Sequence, residues 1–168
     1  MKFVVQALLL TSVLAVTACS NADRFGDDVY LNGGGAAGAP GSADDPTSPL
    51  YFQQAVGDRI FFAVDQSTLS DAAKLTLDGQ AEWLSVNGDF TAIIEGHADE
   101  QGTREYNLAL GARRANTVQE YLVSRGVPAS RLKVVSYGKE RPIEICSVES
   151  CYAKNRRAVT VISAGLSS

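Results

Sequence analysis

The chain has 168 residues, 45% of them hydrophobic and 20% charged, with a formal net charge of -4. That length supports one domain with a substantial core plus some additional chain, and the hydrophobic share is ordinary for a globular protein. The acidic balance argues against nucleic acid as the main partner, because that grip needs a basic surface.

The opening MKFVVQALLLTSVLAVTAC carries one early lysine, an apolar run from Phe3 to Val16, and small residues before Cys19. The run is shorter than the roughly 20 residues of a comfortable membrane span, and the pattern matches a secretory signal. Its ending VTAC resembles the bacterial lipobox, whose cysteine is lipidated and becomes the first residue of the mature chain. Cys19 is then the lipidation site and residues 1–18 are a lipoprotein signal peptide. The alternative is an ordinary signal peptide with a chance cysteine. Several acyl chains on one residue anchor stably where a single chain binds marginally.

Residues 20–50, SNADRFGDDVYLNGGGAAGAPGSADDPTSPL, are dominated by Gly, Ala, Ser, Asp and Pro and lack a sustained apolar period. With Cys19 they read as a flexible tether. About 30 residues of coil span roughly 30 Å on average, and about 100 Å when pulled straight.

A domain is expected over residues 51–168. DRIFFAV (58–64) is β-rich and reads as a strand. In residues 67–86, Leu69, Ala73, Leu77, Ala81 and Leu84 recur at helical spacing, with Ser70 as N-cap. FTAIIEGHA (90–98) is a second strand, and residues 103–126 form a long helix ended by Gly126 and Pro128. RLKVVSYG (131–138) is a third strand, SVESCYAKN (147–155) a short helix, and RRAVTVIS (156–163) a fourth strand. The order β-α-β-α-β-(short α)-β predicts an α/β sandwich with helices packed on one four-stranded sheet.

On the long helix, 100° per residue puts Leu108, Gly111, Ala112, Ala115, Val118 and Leu122 on the apolar stripe. Arg113 falls on the opposite, solvated face. Arg114 falls on the flank, where it either snorkels to solvent or aims its fork into a cleft at the helix–sheet edge.

Cys146 and Cys151 remain after the leader. An exported chain meets an oxidising compartment, so a disulfide between them is expected as a local staple, with two free thiols as the alternative. Closing so short a loop contributes only about 2 kcal/mol. A zinc site is not expected, because there is no second cysteine pair and His97 is the only histidine.

The stretch EGHADEQG concentrates chemistry at residues 95–102. A nucleophilic triad has only His97 to draw on. His97 and Asp99 point the same way in extended chain, yet one imidazole and one carboxylate make a poor metal site. Asp65, Asp99 and Glu100 could supply a glycosidase pair, but nothing in the pattern selects two of them. Binding fits better. Asp65 lies just past the first strand and Asp99 just past the second. If those strands are parallel, both acids sit at the carboxyl edge of the sheet, where ligands bind in α/β folds. Arg114 is on the following helix, Gly102 allows a tight turn, and Thr103 can cap that helix. Acids and an arginine at one edge suit a zwitterion.

EGHADEQGTREYNLALGARRANTVQEYLVSRGV, then RLKVVSYGKERP, then YAKNRRAVTV resemble the OmpA-like peptidoglycan-binding domain over about residues 58–163. The lipobox, the tether and VSYGKERP point further, to the peptidoglycan-associated lipoprotein branch of that family, which acts in the Tol-Pal system. The resemblance implies a four-stranded mixed sheet, no enzymatic reaction and no cofactor. It implies non-covalent binding of the peptidoglycan stem peptide through diaminopimelate, whose side-chain end carries an ammonium and a carboxylate. The family's key acid matches Asp99 and its key arginine Arg114. A further acid matches Asp65, and lining positions match Thr103 and Leu110. Asn107 and the run Asn155, Arg156 and Arg157 fit further family positions, with a structural role expected for Asn107 and for at least one of those arginines. Val64 stands where many relatives carry phenylalanine, and Gln101 where some carry arginine. The implied location is the outer membrane, with Ser20 after the lipidated cysteine and the domain facing the periplasm. The implied partners are TolB and TolA, and the implied role is support of membrane constriction at division. Rival readings are a wall-anchoring lipoprotein without Tol partners and a wall hydrolase. A flagellar stator subunit shares the domain but requires a retained transmembrane helix.

Overall fold

The computed structural model describes residues 39–145 and 147–164. The expected signal peptide, Cys19, most of the expected tether and Cys146 lie outside the described residues.

The elements follow in the expected order. A short N-terminal helix α1 (Pro49–Tyr51) runs into a π turn (Phe52–Gly57) and then strand β1 (Arg59–Phe61). After it come α2 (Asp71–Val86), β2 (Phe90–His97), α3 (Arg104–Ser124), β3 (Leu132–Gly138), α4 (Glu149–Asn155) and β4 (Arg157–Ala164). The sheet order is β1-β4-β2-β3. β4 is antiparallel to both its neighbours, and β2 and β3 are parallel. This is the four-stranded mixed sheet with helices packed on it.

Local chemistry sets the helix ends. Ser70 Oγ accepts from Ala73 N (3.1 Å) and Thr103 Oγ1 from Tyr106 N (3.2 Å), so both long helices start on hydroxyl caps. α3 stops where Gly126 takes φ +98°, which lets Val127 N reach back to Leu122 O at 3.1 Å. The last carbonyls of α2 are met differently. Arg131 donates through Nε to Phe90 O (2.8 Å), through Nη1 to Leu84 O (2.9 Å) and through Nη2 to Asn87 O (2.9 Å). One guanidinium thus joins α2, β2 and β3 at the edge of the sheet where β2 and β3 begin.

The core lies between the sheet and α2 and α3. Leu77, Leu84, Ile94, Val118 and Leu122 are fully buried there, and Phe52 packs edge-on against Trp83. The opposite face of the sheet is more open, with Phe61 and Val161 exposed. Gln80 is buried without cost in unmet polarity: it donates to Gly57 O (2.7 Å) and accepts from Thr160 Oγ1 (2.8 Å). α3 crosses β2 with backbone against backbone. A Cβ on Gly96 would lie 1.9 Å from Gly111 O, and one on Gly111 would lie 2.5 Å from Ser136 Oγ. That approach draws the middle of α3 under the carboxyl end of β2.

Three expectations shift. The fold begins before Tyr51: Trp83 Nε1 donates to Pro46 O (2.7 Å), and Ser48, buried, caps α1. Composition marks residues 39–50 as linker, but their turns are tied to α2. β1 ends at Phe61, although the β-rich run continues to Val64, because β1 pairs with β4 only from Arg59 to Phe61. Leu108 is exposed, and the buried stripe of α3 is Asn107, Leu110, Gly111, Arg114, Ala115, Val118 and Leu122. The buried face has turned so that Arg114 falls within it rather than on its flank. The polar members find partners beneath the helix, which a hydrophobic pattern does not register.

Candidate ligand-binding site

β1 and β2 are both antiparallel to β4, so they run in the same direction with β4 between them. Their carboxyl ends share one edge of the sheet, and the chain past those ends carries Asp65 and Asp99. The same topology brings the amino end of β4 to that edge. Arg156 therefore arrives beside Asp99, although it follows that acid by many residues in sequence.

A pocket of about 280 Å³ opens there, lined by Val64, Asp65, Asp99, Gln101, Gly102, Tyr106, Asn107, Leu110 and Arg114. Five of the six residues expected to hold ligand line it: Val64, Asp65, Asp99, Leu110 and Arg114. Thr103 does not; it is exposed and caps α3 beside the pocket. A larger hollow of about 450 Å³, bordered by Pro46, Val56 and Trp83, holds Glu82 but no cation.

Arg114 is 0% exposed, and its fork is largely committed. Nε donates to Gln66 O (2.8 Å), Nη1 to His97 O (2.8 Å) and Nη2 to Ala63 O (3.2 Å). The guanidinium also lies over Phe62, 5.1 Å from the ring centre. It therefore clamps the chain after β1 to the end of β2. Burial, only partly offset by Asp99, lowers its pKa to about 10, so it remains a cation at neutral pH. Of its five N–H groups two have no partner among the described residues.

Asp99 is likewise engaged. Its Oδ1 accepts from Gln101 N (3.2 Å), which forms the turn after β2, and its Oδ2 accepts from Arg156 Nη1 (3.2 Å). Arg156 also donates to Phe62 O (3.3 Å) and to the carboxylate of Glu149. Burial works against its charge, but Glu149 and Asp99 outweigh burial and hold its pKa above the ordinary value. Asp65 has φ +57°, a left-handed conformation that turns the chain sharply after β1. Its carboxylate accepts from the Tyr106 hydroxyl across the pocket. Neither Tyr106 nor the Arg156–Glu149 pair was expected from the sequence at this site. Tyr106 is one helical turn before Leu110 on the same side of α3, a spacing that could have flagged it. Nothing local flags Glu149.

His97 does not line the pocket. The residue is 1% exposed, and neither ring nitrogen has a hydrogen-bond partner among the described residues. It therefore does not shape the loop through side-chain hydrogen bonds; its carbonyl does so, by receiving Arg114. Burial, then the charges of Arg157 and Arg141, push its pKa down to about 4. Glu100 is tied to α4, since its Oε2 accepts from Asn155 Nδ2 at 3.1 Å. Asn107 is buried and donates to Gln101 O (2.7 Å), bracing the turn from beneath. Cys151 is disulfide-bonded and packs on the buried side of α4. Among the described residues no group of three or more His, Cys, Asp or Glu side chains could hold a metal ion.

Two aspartates, one of them buried, and a buried arginine thus line one solvent-open pocket at this edge of the sheet. The profile of the OmpA family matches residues 61–156. A peptidoglycan-associated lipoprotein of Mesorhizobium japonicum is 49% identical over 158 residues, covering 93% of this chain and 90% of that one. The crystal structure of the peptidoglycan-associated lipoprotein from Burkholderia pseudomallei superposes with a TM-score of 0.64 at 36% identity, covering 72% of this chain and 98% of that one. The C-terminal domain of Helicobacter pylori MotB shares the fold at 22% identity, with a TM-score of 0.60 over 65% of this chain and 86% of that one. The chain belongs to the OmpA family and, within it, to the peptidoglycan-associated lipoproteins.

Proposed function

We propose that this protein is lipid-anchored to the outer membrane through Cys19 and grips peptidoglycan from its periplasmic side without cleaving it. The observation that carries the reading is the convergence of Asp65, Asp99 and Arg114 on one pocket at the carboxyl edge of the sheet. The ligand is the side-chain end of diaminopimelate. Its ammonium faces the two carboxylates, and its carboxylate takes the two N–H groups of Arg114 that the fold leaves over. Leu110 and Val64 flank the aliphatic stem. Recognition is by charge placed in a protected site, with the donors already oriented by their carbonyl partners, so little ordering cost remains at binding.

Lipid, tether and domain together make a linkage between outer membrane and wall. No helix among the described residues is long and apolar enough to cross a membrane. As a member of the Tol-Pal system the domain also meets TolB and TolA, and exchange between TolB and the wall lets the outer membrane follow a constricting wall at division.

The test is sedimentation of the full chain in detergent with diaminopimelate-type sacculi, beside Asp99→Asn and Asp65→Asn. The parent pellets, and each variant pellets less while keeping its circular dichroism. A folded Asp99→Asn that pellets as well as the parent would overturn the assignment of the site. Release of soluble fragments from the sacculi would turn the reading to a hydrolase. Capture of TolB by the parent separates a Tol partner from a generic wall anchor.

A further inference from the structure

Counting charges at the pocket raises a problem. Asp99 is the buried acid of the site, and its Oδ2 is already bonded to Arg156. The Arg156 side chain is 6% exposed, so little solvent screens the pair. A carboxylate neutralised by a buried guanidinium offers little to an incoming cation.

The structure supplies the remedy from outside the pocket. Arg156 is bidentate toward Glu149, through Nη2 to Oε1 and Nη1 to Oε2. Glu149 does not line the pocket, and its side chain is 66% exposed. It is nevertheless no loose surface acid. It opens α4, and Cys151, two residues on, is buried and disulfide-bonded. At the other end of α4, Asn155 Oδ1 accepts from Ile143 N (2.8 Å) and Glu144 N (3.3 Å). The helix is therefore tied at its start and its end, and it presents Glu149 to Arg156. Asp99, Arg156 and Glu149 form a row of two negative charges around one positive, with a net charge of about −1. Without Glu149 the row is neutral.

We infer that Glu149 is a positioning residue for ligand binding: it shares the charge of Arg156 and so leaves the Asp99 carboxylate able to meet a cationic group. This rests on the reading of the pocket as an ammonium site and extends it to a residue outside the pocket. The same arrangement gives α4 a role: it carries the counter-charge that keeps the acid of the pocket available.

The test uses the full chain in detergent and a soluble diaminopimelate-containing stem tetrapeptide, titrated calorimetrically against the parent, Glu149→Gln and Glu149→Asp at several salt concentrations. Glu149→Gln lowers affinity about three- to tenfold at low salt, as expected for one partly screened charge near a binding site. The difference from the parent shrinks as salt rises. Glu149→Asp restores part of the affinity. A loss in the Gln variant that is independent of salt and not rescued by Asp marks a merely structural role and overturns the inference. A parent that binds and a Gln variant that binds equally well overturn it while leaving the pocket reading intact. A parent that does not bind the peptide overturns both.

Discussion

Replacing Arg114 by alanine removes more than the proposed ligand contact. The side chain is 0% exposed and satisfies three backbone carbonyls, those of Ala63, Gln66 and His97. A buried acceptor left without a donor costs about 1–3 kcal/mol, and the bonds lost here come from a charged group. Water entering the polar space would recover part of that, so the net loss is about 3–5 kcal/mol. Against a total stability of about 5–15 kcal/mol, that is a large share. Urea denaturation reads it directly through Trp83, the only tryptophan and a buried one. Arg114→Lys keeps the charge but cannot span three carbonyls with the same geometry, and it falls between parent and alanine variant. Arg113→Ala, one residue away and exposed, stays within about 0.5 kcal/mol of the parent. An Arg114→Ala chain within about 1 kcal/mol of the parent would refute the clamp. The result also governs how binding assays are read, since lost wall binding in an unfolding variant assigns nothing to the ligand.

Three further outcomes test other parts of the structure. Gly111→Ala drives a methyl toward Ser136 Oγ and Gly96 O, at 2.5 and 2.8 Å, and destabilises by about 2 kcal/mol or more in the same urea assay; Gly126→Asn, in open space at the end of α3, costs far less. Unfolding frees the His97 imidazole to take a proton below its ordinary pKa of 6.5, while the folded ring resists until about 4. Stability therefore falls as pH drops through that window, by at most about 3 kcal/mol, and His97→Asn flattens the slope relative to the parent. Chains beginning at residue 39 and at residue 51 differ in melting temperature because only the first keeps Pro46 O for Trp83. Trp83→Phe reproduces a loss of about 1 kcal/mol in the longer chain and much less in the shorter one.

Much of this protein is determined locally and is legible in the chain. Ser70 and Thr103 cap helices because a hydroxyl beside a free N–H does so in almost any setting. Gly126 ends α3 because a left-handed residue is needed there. Asp65 and Asp99 follow their strands by chain order alone, and the aspartates and Arg114 could be picked out as suited to a zwitterion. The tertiary structure decided how those groups are spent. Insertion of β4 between β1 and β2 gives the two strands a common direction, and it delivers Arg156 to Asp99. Glu149 then follows from the return of α4 to that edge. The depth of Arg114 was also set by tertiary contacts. Hydrophobic periodicity counts only apolar groups, so a buried arginine paid for by three carbonyls from other segments reads as a flank residue. The start of the fold escapes composition for the same reason, since Pro46 and Ser48 are held by hydrogen bonds. Local rules act over a few residues, whereas charge pairing at this pocket joins residues more than fifty positions apart.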